Sequence, residues 1–142
     1  MEQNNSKRPA RVFAMQLLYS MEVTSGTAGE CLPGVLESQP IEKNMQSFGM
    51  SLVDLVQEHR AEIDEIISSL SATWSIERMA IVDLCVLRSA LAEMLYKDTP
   101  VKVVMTEAMQ IAKKYSMEES SSFINGILNG FAESRGMLGG NK

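Results

Sequence analysis

The amino-acid sequence predicts an all-α fold, a compact bundle of about seven helices. Three observations lead there. Apolar residues recur at three- and four-residue spacing in one segment after another. No segment shows sustained period-two alternation, so no sheet is expected. Between the segments stand proline, glycine and capping residues placed as helix ends require.

Taken in order, the first helix is expected from about Pro9 to Val23, with Pro9 in the first turn, where its missing N–H is not needed. Val12, Met15 and Tyr19 form one line, and Ala14, Leu17, Leu18 and Met21 widen the apolar face. Thr24-Ser25-Gly26-Thr27 ends it with turn chemistry. The stretch 28–43, with Gly29, Pro33, Gly34 and Pro40, reads as a loop carrying at most one short helix. Helices are then predicted over about 44–59, on the stripe Phe48, Leu52, Leu55 and Val56, and about 61–72, on Ile63, Ile66, Ile67 and Leu70. Ser75 reads as the N-cap of the longest and most apolar helix, 76 to about 97, with Glu77 at its positive end. Glu93 and Lys97 are spaced there for an i,i+4 ion pair. Thr99 and Pro100 read as the cap and first residue of the next helix, whose stripe runs from Val101 to Tyr115. Ser116 and Glu119 have the form of a capping box ahead of a last helix with Phe123, Ile124, Ile127, Leu128 and Phe131. Residues 1–7 and 136–142 are expected to be disordered tails of a single domain spanning 1–142.

At 142 residues the chain has the length of one domain with a sizeable core. It has no apolar run of membrane-spanning length and no apolar signal core after Met1, so a cytoplasmic location is the expectation, without membrane association. Cys31, placed in the loop, and Cys85, placed in the core, match no metal spacing and are expected as reduced thiols. The net charge of −5 argues against a nucleic-acid partner until its distribution is considered. Lys7, Arg8 and Arg11 face only Glu2 in the first 18 residues, a net of +2. Residues 19–77 carry −8, and the remainder carries +1. Basic ends around an acidic belt suit two partners on two faces.

The sequence holds no phosphate-binding glycine loop, no metal set, and one histidine, His59, placed at a helix end as a solvated side chain. Neither catalysis nor a cofactor is expected. Three features remain as candidates for binding. Lys7, Arg8 and Arg11 open a helix whose dipole they oppose, which either solubilises the N-terminus or serves a phosphate backbone. Lys113-Lys114-Tyr115 and Phe123 flank one helix junction, where phosphate contact and base stacking could combine, although lysines in a last turn and a core Phe explain them equally. Asp83 interrupts an apolar line and must be paired internally or reach the surface at a partner interface.

The residues K-R-P-A-R-V-F-A-M-Q-L-L-Y-S-M-E-V at 7–23 resemble the first helix of the NusB family of bacterial transcription antitermination factors. W-S-I-E-R-M-A-I-V-D-L-C-V-L-R-S-A-L-A-E-M at 74–94, V-V-M-T-E-A-M-Q-I-A-K-K-Y at 103–115 and F-I-N-G-I-L-N at 123–129 are similar to further blocks of that family, in the same order. The resemblance covers nearly the whole chain except about 24–60. It implies two three- or four-helix halves. It also implies pairing with the ribosomal protein NusE to bind single-stranded boxA RNA of ribosomal RNA leaders and deliver it to the RNA polymerase antitermination complex. By position, Lys7, Arg8, Arg11, Lys113, Lys114, Tyr115, Glu119 and Phe123 correspond to the RNA surface. Tyr19, Glu77 and Asp83 correspond to the partner face, where an exposed carboxylate would suit a basic protein. Pro9 in place of an arginine, Thr106 for Asn and Asn129 for Asp depart from the pattern, and the first leaves the basic arm thin. A helical module that binds protein or a second copy of itself without RNA, or a stand-alone relative of the helical module in ribosomal-RNA cytosine methyltransferases, is the alternative.

Overall fold

The computed structural model describes residues 7–138. They form seven α-helices: α1 (Arg8–Thr24), α2 (Ala28–Ser38), α3 (Lys43–Glu58), α4 (Arg60–Leu70), α5 (Ile81–Tyr96), α6 (Val101–Tyr115) and α7 (Ser120–Ser134). A 3-10 turn, Ile76–Arg78, precedes α5, and no strand occurs among the described residues.

Helix α5 is the axis of the bundle. Every residue from Asp83 to Met94 is buried, because α1, α3, α4, α6 and α7 all pack against it. A helix apolar on all sides has to be central, and that is how the sequence is written here. Around it, α1 joins α2 and α3, while α6 joins α7. Leu17, Leu52, Ile63, Leu87, Leu91, Ile124 and Leu128 are fully buried, each contributing about 1.5–3 kcal/mol of transfer free energy. The closest approach is between α1 and α3 at Gly49. A Cβ there would stand 2.5 Å from Phe13 Cδ2 and 2.8 Å from the Ala10 carbonyl, so only glycine lets the backbones meet.

The charged residues of α5 are all answered internally. Asp83 accepts from Ser116 Oγ (2.6 Å) and Ser120 Oγ (2.9 Å). Arg88 donates to both oxygens of Asp64 (2.8 and 2.9 Å) and to Glu22 (3.2 Å), tying α5 to α4 and α1. Among the described residues no buried side-chain nitrogen or oxygen lacks a partner, as a low-dielectric interior requires.

Several expectations need correction. The stretch 28–43, read as a loop with at most one short helix, is dominated by one, the eleven-residue α2 over 28–38. The Glu30 N–H donates to Thr27 Oγ1 (3.1 Å) and the Thr27 N–H to Glu30 Oε1 (2.9 Å), a full capping box. That cap, with Leu32, Val35 and Leu36 against the core, offsets the hydrogen bond Pro33 removes. Cys31 is therefore buried on a helix, and both cysteines are free thiols. The helix expected over 76–97 is broken by the extended pair Met79–Ala80, and α1, with 17 residues, is the longest.

Three predicted caps are not made: Ser75 forms no side-chain cap bond, and the hydroxyls of Thr99 and Ser116 serve buried carboxylates. Thr99 Oγ1 donates to Glu93 (2.6 Å), and Ser116 turns to Asp83. At the C-terminus, residues 136–138 are ordered. Gly136 (φ +69°) adopts the left-handed conformation, the Met137 N–H donates to the Ala132 carbonyl (2.8 Å), and Met137 and Leu138 pack on the core. This is a Schellman cap. The remainder of the expected tails, 1–6 and 139–142, lies outside the described residues.

Candidate nucleic-acid interface

The N-terminus of α1 is built around four alternating charges. Arg8 donates from Nε and Nη2 to the two oxygens of Glu107 on α6, each at 2.8 Å. One turn on, Arg11 donates from Nε and Nη2 to the two oxygens of Glu93 on α5 (2.9 and 2.7 Å). Arg11 Nη1 also lies 3.9 Å from Glu107. Two carboxylates from other helices thus compensate the basic residues that oppose the α1 dipole.

The two arginines differ in what they leave exposed. The Arg8 side chain is 44% accessible, and the hydrogen bond to Glu107 raises its pKa further above its ordinary value, so it is a permanent surface cation. Arg11 is 5% exposed, with both faces of its guanidinium fork engaged. Arg11 was expected on the RNA surface; here its charge is directed inward and joins α1, α5 and α6.

Arg8 lines a cleft of about 690 Å³ between α1, the α2–α3 connection and the end of α6. Lys113, Lys114 and Tyr115 stand on its other side, with Ser38 to Ile41 closing one end. Both lysines are exposed, and Lys114 Nζ sits 5.5 Å from the Tyr115 ring centroid. Residues about a hundred positions apart thereby form one basic, aromatic-edged groove. Lys7 stands just outside it, its Nζ 4.8 Å from the Phe48 ring centroid.

Glu119 and Phe123 do not join this cleft. They line a second groove of about 410 Å³ with Trp74, Met79, Asp83 and Met117. The α6–α7 turn divides the two, sending Tyr115 to one side and Met117 to the other. Trp74 is 46% exposed, and its turn is clasped by Ser71, whose Oγ accepts from the Trp74 N–H (3.2 Å) and donates to its carbonyl (2.7 Å). The sequence marks Trp74 only as the residue before a helix, and its place on a groove wall has no local signature.

On the candidate partner face, Tyr19 and Glu77 are exposed. Asp83 is not. It is 7% exposed and holds the α6–α7 turn through Ser116 and Ser120, so the expected exposed carboxylate is corrected to an internal one. Tyr19 belongs to the same end of the molecule as Glu77, because α1 and α5 run antiparallel: Arg11 meets Glu93, and Glu22 meets Arg88.

Comparison with known proteins adds independent evidence. The sequence pattern that describes the NusB family matches residues 8–133. The chain belongs to the NusB family. The transcription antitermination protein NusB of Geobacter sulfurreducens is 46% identical over 129 residues, covering 89% of this chain and 94% of that one. T. maritima NusB superposes with a TM-score of 0.81 at 32% identity, over 89% of this chain and 90% of the other. A NusB chain crystallised with NusE and double-stranded RNA superposes with a TM-score of 0.81 at 29% identity, over 94% and 99% of the two chains. The expected NusB-like helical fold is therefore correct. Among the described residues no helix is long and apolar enough to cross a membrane, and no group of His, Cys, Asp or Glu is placed to hold a metal.

Proposed function

We propose that this chain is a non-catalytic transcription antitermination factor acting as one module. With a NusE-type ribosomal protein it binds single-stranded boxA-type RNA of ribosomal RNA leaders and carries it to elongating RNA polymerase. The observation that carries this reading is the convergence of Arg8, Lys113, Lys114 and Tyr115 on one cleft. Cations there meet phosphates, and the aromatic offers a stacking platform that helps retain a single strand. A relative of the same fold, crystallised with NusE and double-stranded RNA, supports the pairing of an RNA with such a partner.

Phe123 and Glu119 would extend the RNA path across the α6–α7 turn into the second groove. Tyr19 and Glu77 would face the partner, with exposed Val23 and Ile81 adding apolar area at the same end. Asp83 acts there indirectly, by fixing the turn. With Arg11 internal, few cations face the RNA, so the chain alone binds weakly and gains affinity when a basic partner adds phosphate contacts.

Gel-shift titration tests this with boxA-like and scrambled RNA, each with and without the partner. Preferential binding of the boxA-like RNA, strengthened by the partner, is the expected outcome. Equal and negligible affinity for both RNAs in both conditions would show a module that binds protein only.

A further inference from the structure

We propose that Lys97 and Lys7 form a second phosphate site over the Phe48 ring, lengthening the RNA track beyond the α1–α6 cleft. The proposal rests on the RNA-binding reading above.

Lys97 ends α5, and its spacing from Glu93 suggests an ion pair along that helix. The structure gives Glu93 to others. Both its oxygens are taken by Arg11, and Thr99 donates to one of them as well. Lys97 instead places Nζ 4.9 Å from the centroid of Phe48 on α3. Lys7 places its own Nζ 4.8 Å from the same centroid, and the Arg11 guanidinium lies 5.8 Å from it.

Neither lysine has a carboxylate partner among the described residues. Three cations therefore converge on one half-buried ring, and the acids that could have balanced the lysines, Glu93 and Glu107, are committed to arginines. A ring quadrupole offsets part of the mutual repulsion. A bound phosphate would add a full opposite charge beside both lysines, which the ring quadrupole cannot supply.

The occupant is argued from continuity. Lys113, Lys114 and Arg8 line the cleft, Lys7 adjoins Arg8 in the chain, and Lys7 shares the Phe48 ring with Lys97, so the cations follow one another from the cleft to Lys97. A strand whose phosphates follow the cleft reaches Lys97 next. The Phe48 ring holds the two ammonium groups apart and in place, so their side chains lose little further freedom on binding.

The test is an anisotropy titration of labelled single-stranded boxA-type RNA from 50 to about 200 mM salt, with the NusE-type partner present. Lys97→Ala, Lys97→Arg and Lys113→Ala are compared with the unaltered chain. Lys97→Ala should weaken binding of all sequences alike and flatten the slope of log K against log salt by about 0.7, the value for one phosphate contact to a single strand. Lys97→Arg should keep the slope, and the melting temperature should not move. If Lys113→Ala flattens the slope and Lys97→Ala does not, the second site is refuted while the RNA reading stands. Weakened capture of the partner by Lys97→Ala at unchanged RNA slope also refutes it, because the face then belongs to protein. No RNA binding by the unaltered chain removes both.

Discussion

Replacing Arg11 by Met separates a structural arginine from an RNA-contacting one. The side chains of Glu93 and Glu107 are 1% and 3% accessible, and Arg11 gives Glu93 two short hydrogen bonds while reaching Glu107 at 3.9 Å. Methionine fills most of the volume but leaves Glu93 charged, buried and bonded only to Thr99. Removing one member of such a pair costs about 3–5 kcal/mol. For a domain of this size that lowers the melting temperature by roughly 10–15 °C. Urea denaturation and thermal melting by circular dichroism measure it directly. Arg11→Met/Glu93→Leu should recover most of the loss, since an apolar pair replaces a charged one at similar volume. Lys113→Ala serves as the contrast, with a stability change under about 1 kcal/mol and weakened RNA binding. The reasoning is refuted if Arg11→Met melts within a few degrees of the unaltered chain while its RNA affinity falls about tenfold.

Asp83→Ala removes the acceptor of the Ser116 and Ser120 hydroxyls, and chemical denaturation should register a loss of about 2–3 kcal/mol, against almost none if the carboxylate faced a partner. Gly49→Ala drives a methyl group against Phe13 and the Ala10 carbonyl; about 1–3 kcal/mol of destabilisation is expected in the same assay. Burial pushes the Cys85 thiol up to about 12 from 9.0, so a thiol reagent should label it only through unfolding, whereas rapid labelling of the native chain at pH 8–9 would contradict its burial. The same shift makes this contribution to stability complete below pH 9. It is lost as the pH rises from 9 toward about 12, where the unfolded chain ionises first.

The stripes of α1, α3, α4, α6 and α7 were legible because each has one wet face, and alternation between wet and dry is what periodicity reports. Helix α2 was hidden by Gly29, Pro33 and Gly34, three apparent breakers, although Thr27 and Glu30 carry a capping-box spacing that outweighs them. The break at Met79–Ala80 has no such marker, since both residues suit a helix. Within the site, the two basic patches could be seen but not their meeting, because Arg8 and Lys113 are brought together by the separate packing of α1 and α6 on α5 and by the Arg8–Glu107 pair. The inward placement of Arg11 is illegible for a related reason. Its partner Glu93 is 82 residues away, and a pattern confined to one helix cannot tell an arginine held inside from one held out. Glu107 did carry a signal: a carboxylate set between Val104, Ala108 and Ile111 on a buried stripe demands a cation. Asp83 raised the same demand, and internal pairing answered it.

Helix α1 spans about 25 Å, with Arg8, proposed for RNA, at one end and Tyr19, proposed for the partner, near the other. It is bracketed to the same α5 at both ends, by Arg11 with Glu93 and by Glu22 with Arg88. A slide of one helical turn, about 5.4 Å, would break both brackets at once and strand buried Glu93 without its arginine, while Arg88 would keep Asp64. The rod therefore has one seat and no second resting position. Communication between its ends through a shift of α1 is closed off. On the proposed reading, mutual strengthening of RNA and partner would come from their simultaneous attachment to one frame, as in a bivalent clamp, rather than from a shift of α1.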